Sequence, residues 1–176
     1  KFQGRNVTGM NDKINITLLN GYARQIAVNY FNPYIDKKLR HGLGVDFSYS
    51  KNREVNFSTR KNVQNFYKDE TRFIREQLYV GLAYSYRKGS INRHTVRLGV
   101  VIDNVDDTVI NLNPKFFNTS GNNSRYLEMQ YRFQHLDVDY IPYPTRGNTL
   151  DFFFLKKGIG GPMDLWQFNA KVYKHW

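Results

Sequence analysis

Between Arg72 and Arg87 one set of alternate positions reads Ile74, Glu76, Leu78, Val80, Leu82, Tyr84, Tyr86, and the other reads Phe73, Arg75, Gln77, Tyr79, Gly81, Ala83, Ser85, Arg87. Beyond Glu76 the period is two, that of a β-strand with one apolar and one polar face. The run from Leu78 to Tyr86 is nine residues long and ends in tyrosines. That is the length of a tilted strand crossing a hydrocarbon core, closed by the residue type that settles at its border.

The pattern recurs. Ile14, Ile16 and Leu18 alternate with Asn15 and Thr17; after the hairpin dipeptide Asn20-Gly21, Ile26, Val28 and Tyr30 alternate with Gln25, Ala27 and Asn29. Leu43, Val45, Phe47 and Tyr49 alternate with Gly42, Gly44, Asp46, Ser48 and Ser50. Val96, Leu98, Val100 and Ile102 alternate with Arg97, Gly99 and Asp103, with Val101 the exception. Leu127, Met129, Tyr131 and Phe133 alternate with Glu128, Gln130, Arg132 and Gln134. Leu150, Phe152 and Phe154 oppose Asp151, and Trp166, Phe168, Ala170 and Val172 oppose Gln167, Asn169 and Lys171. The repetition predicts about eight strands.

Mean hydropathy is −0.63, and no stretch approaches the 18 or more apolar residues of a membrane helix. In a membrane barrel polar lumen residues cancel apolar lipid-facing ones in every window, so face chemistry decides instead of the average. A water-soluble barrel keeps apolar residues inside and charge outside. Here Arg, Asp, Gln and Asn share one parity with Gly and Ser, while the aromatics, 16% of the chain, fall largely on the other and near strand ends. The expected fold class is all-β, a transmembrane antiparallel β-barrel. Ile26, Val28, Leu43, Val45, Leu78, Val80, Leu98, Val100, Met129 and Phe152 are expected to face lipid, and Asp46, Arg75, Arg97, Arg132 and Asp151 the lumen.

The net charge of +11 asks for an anionic partner. The basic residues fall into loops (Lys51, Arg53, Arg60, Lys61, Lys68), turns (Lys37, Lys38, Arg40, Arg87, Lys88) and the lumen parity. They do not gather on one aromatic-interleaved face, which argues against nucleic acid and for outer-membrane lipids and lipopolysaccharide at the rim.

No cofactor is expected. Cysteine is absent, so neither disulfides nor thiolate metal sites arise. His41, His94, His135 and His175 lack ligand spacing and are expected at turns or in the lumen. Asp103, Asp106 and Asp107 have carboxylates for Ca²⁺ but read as a solvated loop. Asp137 and Asp139 read as a charged turn pairing with Arg146 rather than an acid/base pair. No nucleophile motif or phosphate-binding glycine loop appears, and Gly158 to Pro162 opens no helix, so the chain is not expected to be an enzyme.

Short links are predicted at Pro33 to Arg40, Arg87 to Asn92 and Asp139 to Gly147, and long polar ones at Val55 to Thr71 and Asp103 to Ser124, with Asn118 to Ser124 a mobile loop tip. Outer-membrane barrels keep short turns on the periplasmic side. Lys1 to Arg5 carries no initiator Met or apolar leader, and Lys174 spoils an aromatic C-terminal signal at Trp176, so both ends read as boundaries of a fragment.

Three segments together resemble the BamA/TamA outer-membrane insertase superfamily, the bacterial surface antigen family. Phe2-x-Gly4-Arg5-Asn6 followed by Ile14 to Gly21 is similar to the passage from the last periplasmic POTRA domain into the first barrel strand. Val28 to Asn32 with Pro33-Tyr34 is similar to the family's descent into the first periplasmic turn. Tyr143-Pro144-Thr145-Arg146-Gly147, after Asp137-Val138-Asp139, matches the Pro-Thr-x-Gly turn, the most specific of the three.

The resemblance implies that residues 1–176 form one β-barrel region, strands 1 to 8 of a sixteen-stranded barrel. The POTRA domains, the loop with the Val-Arg-Gly-[Phe/Tyr] element and the closing strands are missing. It implies an outer-membrane location, client outer-membrane proteins, and periplasmic or lipoprotein accessory subunits. It also implies a lateral gate whose first strand, Ile14, Asn15, Ile16, Thr17 and Leu18, templates client strands through its backbone, with Pro144, Thr145, Arg146 and Gly147 as a periplasmic turn. Two rival readings stay open: a self-contained eight-stranded anchor or adhesin barrel, and a barrel half that exports a fused passenger.

Overall fold

The computed structural model describes residues 1–118, 121–160 and 163–176. Its elements are β1 (Phe2–Arg5), β2 (Lys13–Leu19), β3 (Ala23–Asn32), β4 (His41–Asn52), β5 (Glu54–Arg60), β6 (Val63–Lys68), β7 (Arg75–Lys88), β8 (Asn92–Val105), α1 (Asp107–Leu112), β9 (Asn123–Val138), β10 (Gly147–Ile159) and β11 (Leu165–His175). Nine strands form one antiparallel sheet in the order β1-β2-β3-β4-β7-β8-β9-β10-β11, and β5 with β6 forms a separate hairpin. Every neighbour in the large sheet is also the next strand along the chain, apart from β4 and β7, which that hairpin separates. Among the described residues β11 does not pair with β1, so the sheet is open.

The alternation places the faces as expected. Leu43, Val45, Val80 and Leu98 are exposed, with Leu82 the most open on β7 at 66%. Asp46, Asp103 and Glu128 on the other parity are buried. Lys13 of β2 and Phe153 of β10 line one cavity, so the polar face is the concave one. Such a sheet is inside-out relative to a soluble fold: among the described residues, nothing packs against its apolar side.

The height of the apolar band follows from register. His41 and Tyr49 of β4 lie eight positions apart, and Tyr86 and Leu78 sit opposite them on β7. At about 3.4 Å per residue and a tilt of about 40°, the band is about 20 Å tall. One cross-strand row on this face reads His41, Tyr86, His94, Phe133 and Phe152, and His41 and Tyr86 mark the lower border on β4 and β7. His41 Nδ1 lies 2.7 Å from the Tyr84 hydroxyl and His94 Nδ1 2.9 Å from that of Tyr131.

His41, His94 and His135 therefore stand on the apolar parity near the short-turn end, not at turns or in the lumen. Position 41 is two before Leu43, and position 135 two after Phe133, so each inherits the outward face. Rings with a polar edge suit a border between apolar and wet surroundings.

Three further expectations are corrected. The strand count rises because Phe2–Arg5, read as an entry segment, pairs with β2. The link at Val55 to Thr71 holds the β5–β6 hairpin, and Asp103 to Ser124 holds the end of β8, α1 and the start of β9. These excursions are not simply polar. Val55, Ile74, Val105, Val109 and Phe117 form a buried cluster with Phe57, Tyr67, Ile110 and Phe116 against it, a small core above the sheet at the long-loop end. Thr119 and Ser120 of the expected loop tip, and Gly161 and Pro162 of the expected glycine loop, lie outside the described residues; Asn123 and Ser124 open β9.

Candidate functional site on the concave face and the sheet edges

The concave face carries a charge network built from the polar parity. Asp46 accepts from Asn29 Nδ2 at 2.8 Å and pairs with Arg97 at 3.1 Å. Glu128 accepts from Gln130 at 2.6 Å and pairs with Lys157 at 3.2 Å. Asp103, fully buried, takes the Arg75 guanidinium at 2.9 and 2.5 Å and Gln77 at 3.0 Å. Asp151 is gripped by Arg132 and accepts from Gln134 at 3.2 Å. Each partner lies on the same strand two residues away, on the next strand, or across one intervening strand, so register alone brings the charges together.

Tyr79 lies across this face. A Cβ on Gly81 would fall 2.5 Å from the Tyr79 hydroxyl oxygen, and one on Gly99 2.4 Å from its ring. Gly81 and Gly99 face each other on β7 and β8. Only glycine leaves room for the ring at that depth. Tyr79, Glu128, Lys157 and Arg93 were not singled out from the sequence. Paired glycines inside two strands were the available signal, since interior glycine marks a close approach.

The three acidic residues considered for Ca²⁺ are spent separately. Asp103 holds Arg75, Asp106 caps α1 by accepting from Thr108 N at 2.9 Å, and Asp107 accepts from Asn122 at 2.9 Å. Asp139 accepts from the backbone N–H groups of Thr145 and Arg146 at 3.0 and 3.1 Å and from the Thr145 hydroxyl, so it binds the Arg146 backbone rather than its guanidinium. These bonds hold its carboxyl well below the usual range, the Thr145 hydroxyl contributing most. Pro144, Thr145 and Arg146 lie in the β9–β10 link and Gly147 opens β10. Gly147 has φ of 119°, and a Cβ there would lie 2.0 Å from the Asp137 carbonyl oxygen.

The edge differs from the one assigned to Ile14, Asn15, Ile16, Thr17 and Leu18. β1 pairs with Lys13 to Ile16 of β2, Phe2 standing opposite Ile16 and Gln3 opposite Asn15. The outer backbone of Ile14 to Ile16 is thus covered, and Thr17, Leu18 and Leu19 extend beyond β1. A four-residue strand without strict alternation gave the sequence pattern too little to register. At the opposite edge, among the described residues, β11 pairs only with β10, and nearly all its side chains are exposed.

A concavity of about 430 Å³ lies on the polar face towards the short-turn end, lined by Lys13, Phe31, Arg93, Thr95, Arg97, Gln130, Arg132, Gln134 and Phe153. Four of these are cations and none is acidic.

No family model matches the chain, and no curated protein matches it in sequence. In structure it is similar to BamA from Haemophilus ducreyi lacking POTRA domains 1-3, with a TM-score of 0.59 over 97% of this chain at 14% identity. The match covers 32% of that protein, so this chain spans about a third of its length. The fold is therefore similar to part of that protein's barrel wall: an antiparallel meander, apolar outside and charged inside.

Proposed function

We propose that this chain is one wall of an outer-membrane barrel that assembles or inserts other membrane proteins, with a lateral gate at its N-terminal edge. The observation that carries the reading is the combination of a BamA-type fold with an edge that no described strand covers. Unpaired N–H and C=O groups in a low-dielectric surrounding demand partners, and an incoming β-strand supplies them in order. The clients are outer-membrane proteins, and accessory subunits act from the periplasmic side.

On this reading the template is the outer side of β1 together with Thr17 and Leu18 of β2. Ile14, Asn15 and Ile16 become available to a client only when β1 leaves. Side chains matter little here because the backbone makes the bonds.

Cysteines at Gln3, Asn15 and Thr17 in the full-length protein test this, with a client carrying a cysteine in its terminal strand. Gln3 and Thr17 should form disulfides with the client during assembly, since paired strands bring Cα atoms into disulfide range, and Asn15 should do so only when β1 is displaced. Crosslinking of Gln3 solely to β11, for example at Asn169, with no client adduct would make the barrel a closed anchor and end the insertase reading.

A further inference from the structure

We propose that the concavity on the polar face is a binding site for a phosphate-type dianion. Charge matching within the concavity points to it, independently of the gate. Of the four cations lining it, Arg97 is matched by Asp46 and Arg132 by Asp151. Lys13 and Arg93 have no carboxylate partner among the described residues. Two positive charges are left over in a partly enclosed space. A phosphate monoester carries about −1.5 to −2 at neutral pH, a single carboxylate only −1.

Register places the donors around one centre. Arg97 faces Gln130, Thr95 faces Arg132 and Arg93 faces Gln134 in three successive same-face pairs of β8 and β9. Arg93 and Arg97 are four residues apart, about 13 Å along the strand, with Arg132 between them on the next strand. The planar guanidinium fork suits tetrahedral oxyanions, and Arg97 and Arg132 keep N–H groups beyond those used on their carboxylates.

Small residues separate the two unmatched cations across the sheet. Gly42, Gly44, Ala83 and Ser85 occupy the polar parity of β4 and β7 between Lys13 and Arg93. A Cβ on Gly44 would meet Phe31 at 2.8 Å, and one on Gly42 the Ser85 hydroxyl at 2.6 Å. Arg87, opposite Arg93, is engaged elsewhere: it donates to the Tyr34 hydroxyl at 3.1 Å and stacks over that ring.

The phosphate group can come from a soluble phosphate or from a lipid headgroup. The experiment uses the full-length protein in neutral detergent, titrated with inorganic phosphate and followed by calorimetry, and separately with short-chain phosphatidic acid. The wild type should bind phosphate saturably at constant ionic strength. Lys13→Gln with Arg93→Gln should weaken binding at least tenfold, Arg93→Lys should retain most of it, and Arg40→Gln, in an exposed turn, should not change it. Phosphatidic acid that competes with phosphate in an Arg93-dependent way identifies a headgroup as a source; phosphate binding without such competition identifies a soluble one. Absence of saturable phosphate binding in the wild type, or equal binding in the double variant with its folding verified by heat-modifiability, overturns the proposal.

Discussion

Leu82 stands at the middle of the apolar band, four positions from both Leu78 and Tyr86, and is 66% exposed. An arginine there has no water, no carboxylate and no concave face to turn to. At the midplane of a barrel the penalty is about 2–4 kcal/mol and it fades to about 0–1 kcal/mol at the borders. Each two-residue step along a strand tilted by about 40° changes depth by about 5 Å. Leu82→Arg should therefore cost most, Val80→Arg less, and Leu78→Arg, beside the Tyr49 row, about 1 kcal/mol or below. Asn15→Arg is the control: opposite face, in the row that contains Asn29 and Asp46. Its cost should be near zero. Urea-titrated folding of the full-length protein into vesicles reads these differences, the largest corresponding to roughly 30- to 700-fold in the folding equilibrium. Equal losses for Leu82→Arg and Asn15→Arg, or a larger loss at Leu78 than at Leu82, would refute the assignment of faces.

Tyr79→Ala should cost about 2 kcal/mol, less than the roughly 3–5 kcal/mol of a fully buried aromatic; Gly99→Ala should also destabilise, and the double variant should lose less than the sum in a denaturation cycle because the new Cβ then meets no ring. Ile74→Ala, at the centre of the long-loop core, should cost about 2–4 kcal/mol locally, seen as faster amide exchange in β5 and β6 while β7 to β9 keep their protection. The Asp139 turn gives a pH prediction. Its carboxyl is depressed in the folded state, so its contribution is present above the unfolded value and is lost as pH falls through the lower folded one. The Thr145 amide shift should stay constant from neutral pH to about 5 and move only in stronger acid; Asp139→Asn should abolish the step, and a transition near pH 6 would contradict it.

Alternation by itself determined β2 to β4 and β7 to β11 and the sorting of their faces, because a period of two is a local property of the backbone and each face meets one solvent. It also set the polarity of the links, since turn residues such as Asn20-Gly21 and Pro144 to Gly147 act over a few positions. Tertiary structure decided the rest. Phe2–Arg5 became a strand through partners eight to fourteen residues away, which moved the free edge off Ile14 to Ile16. The hydrophobic core of Val55, Ile74, Val105, Val109 and Phe117 joins residues from two excursions that look polar on average. His41, His94 and His135 formed a border band, and Lys13 met Arg93 across one cavity, only because register and curvature set their strands side by side. Long-range pairing is chosen by the sum of many small cross-strand terms, and no window of the chain contains that sum.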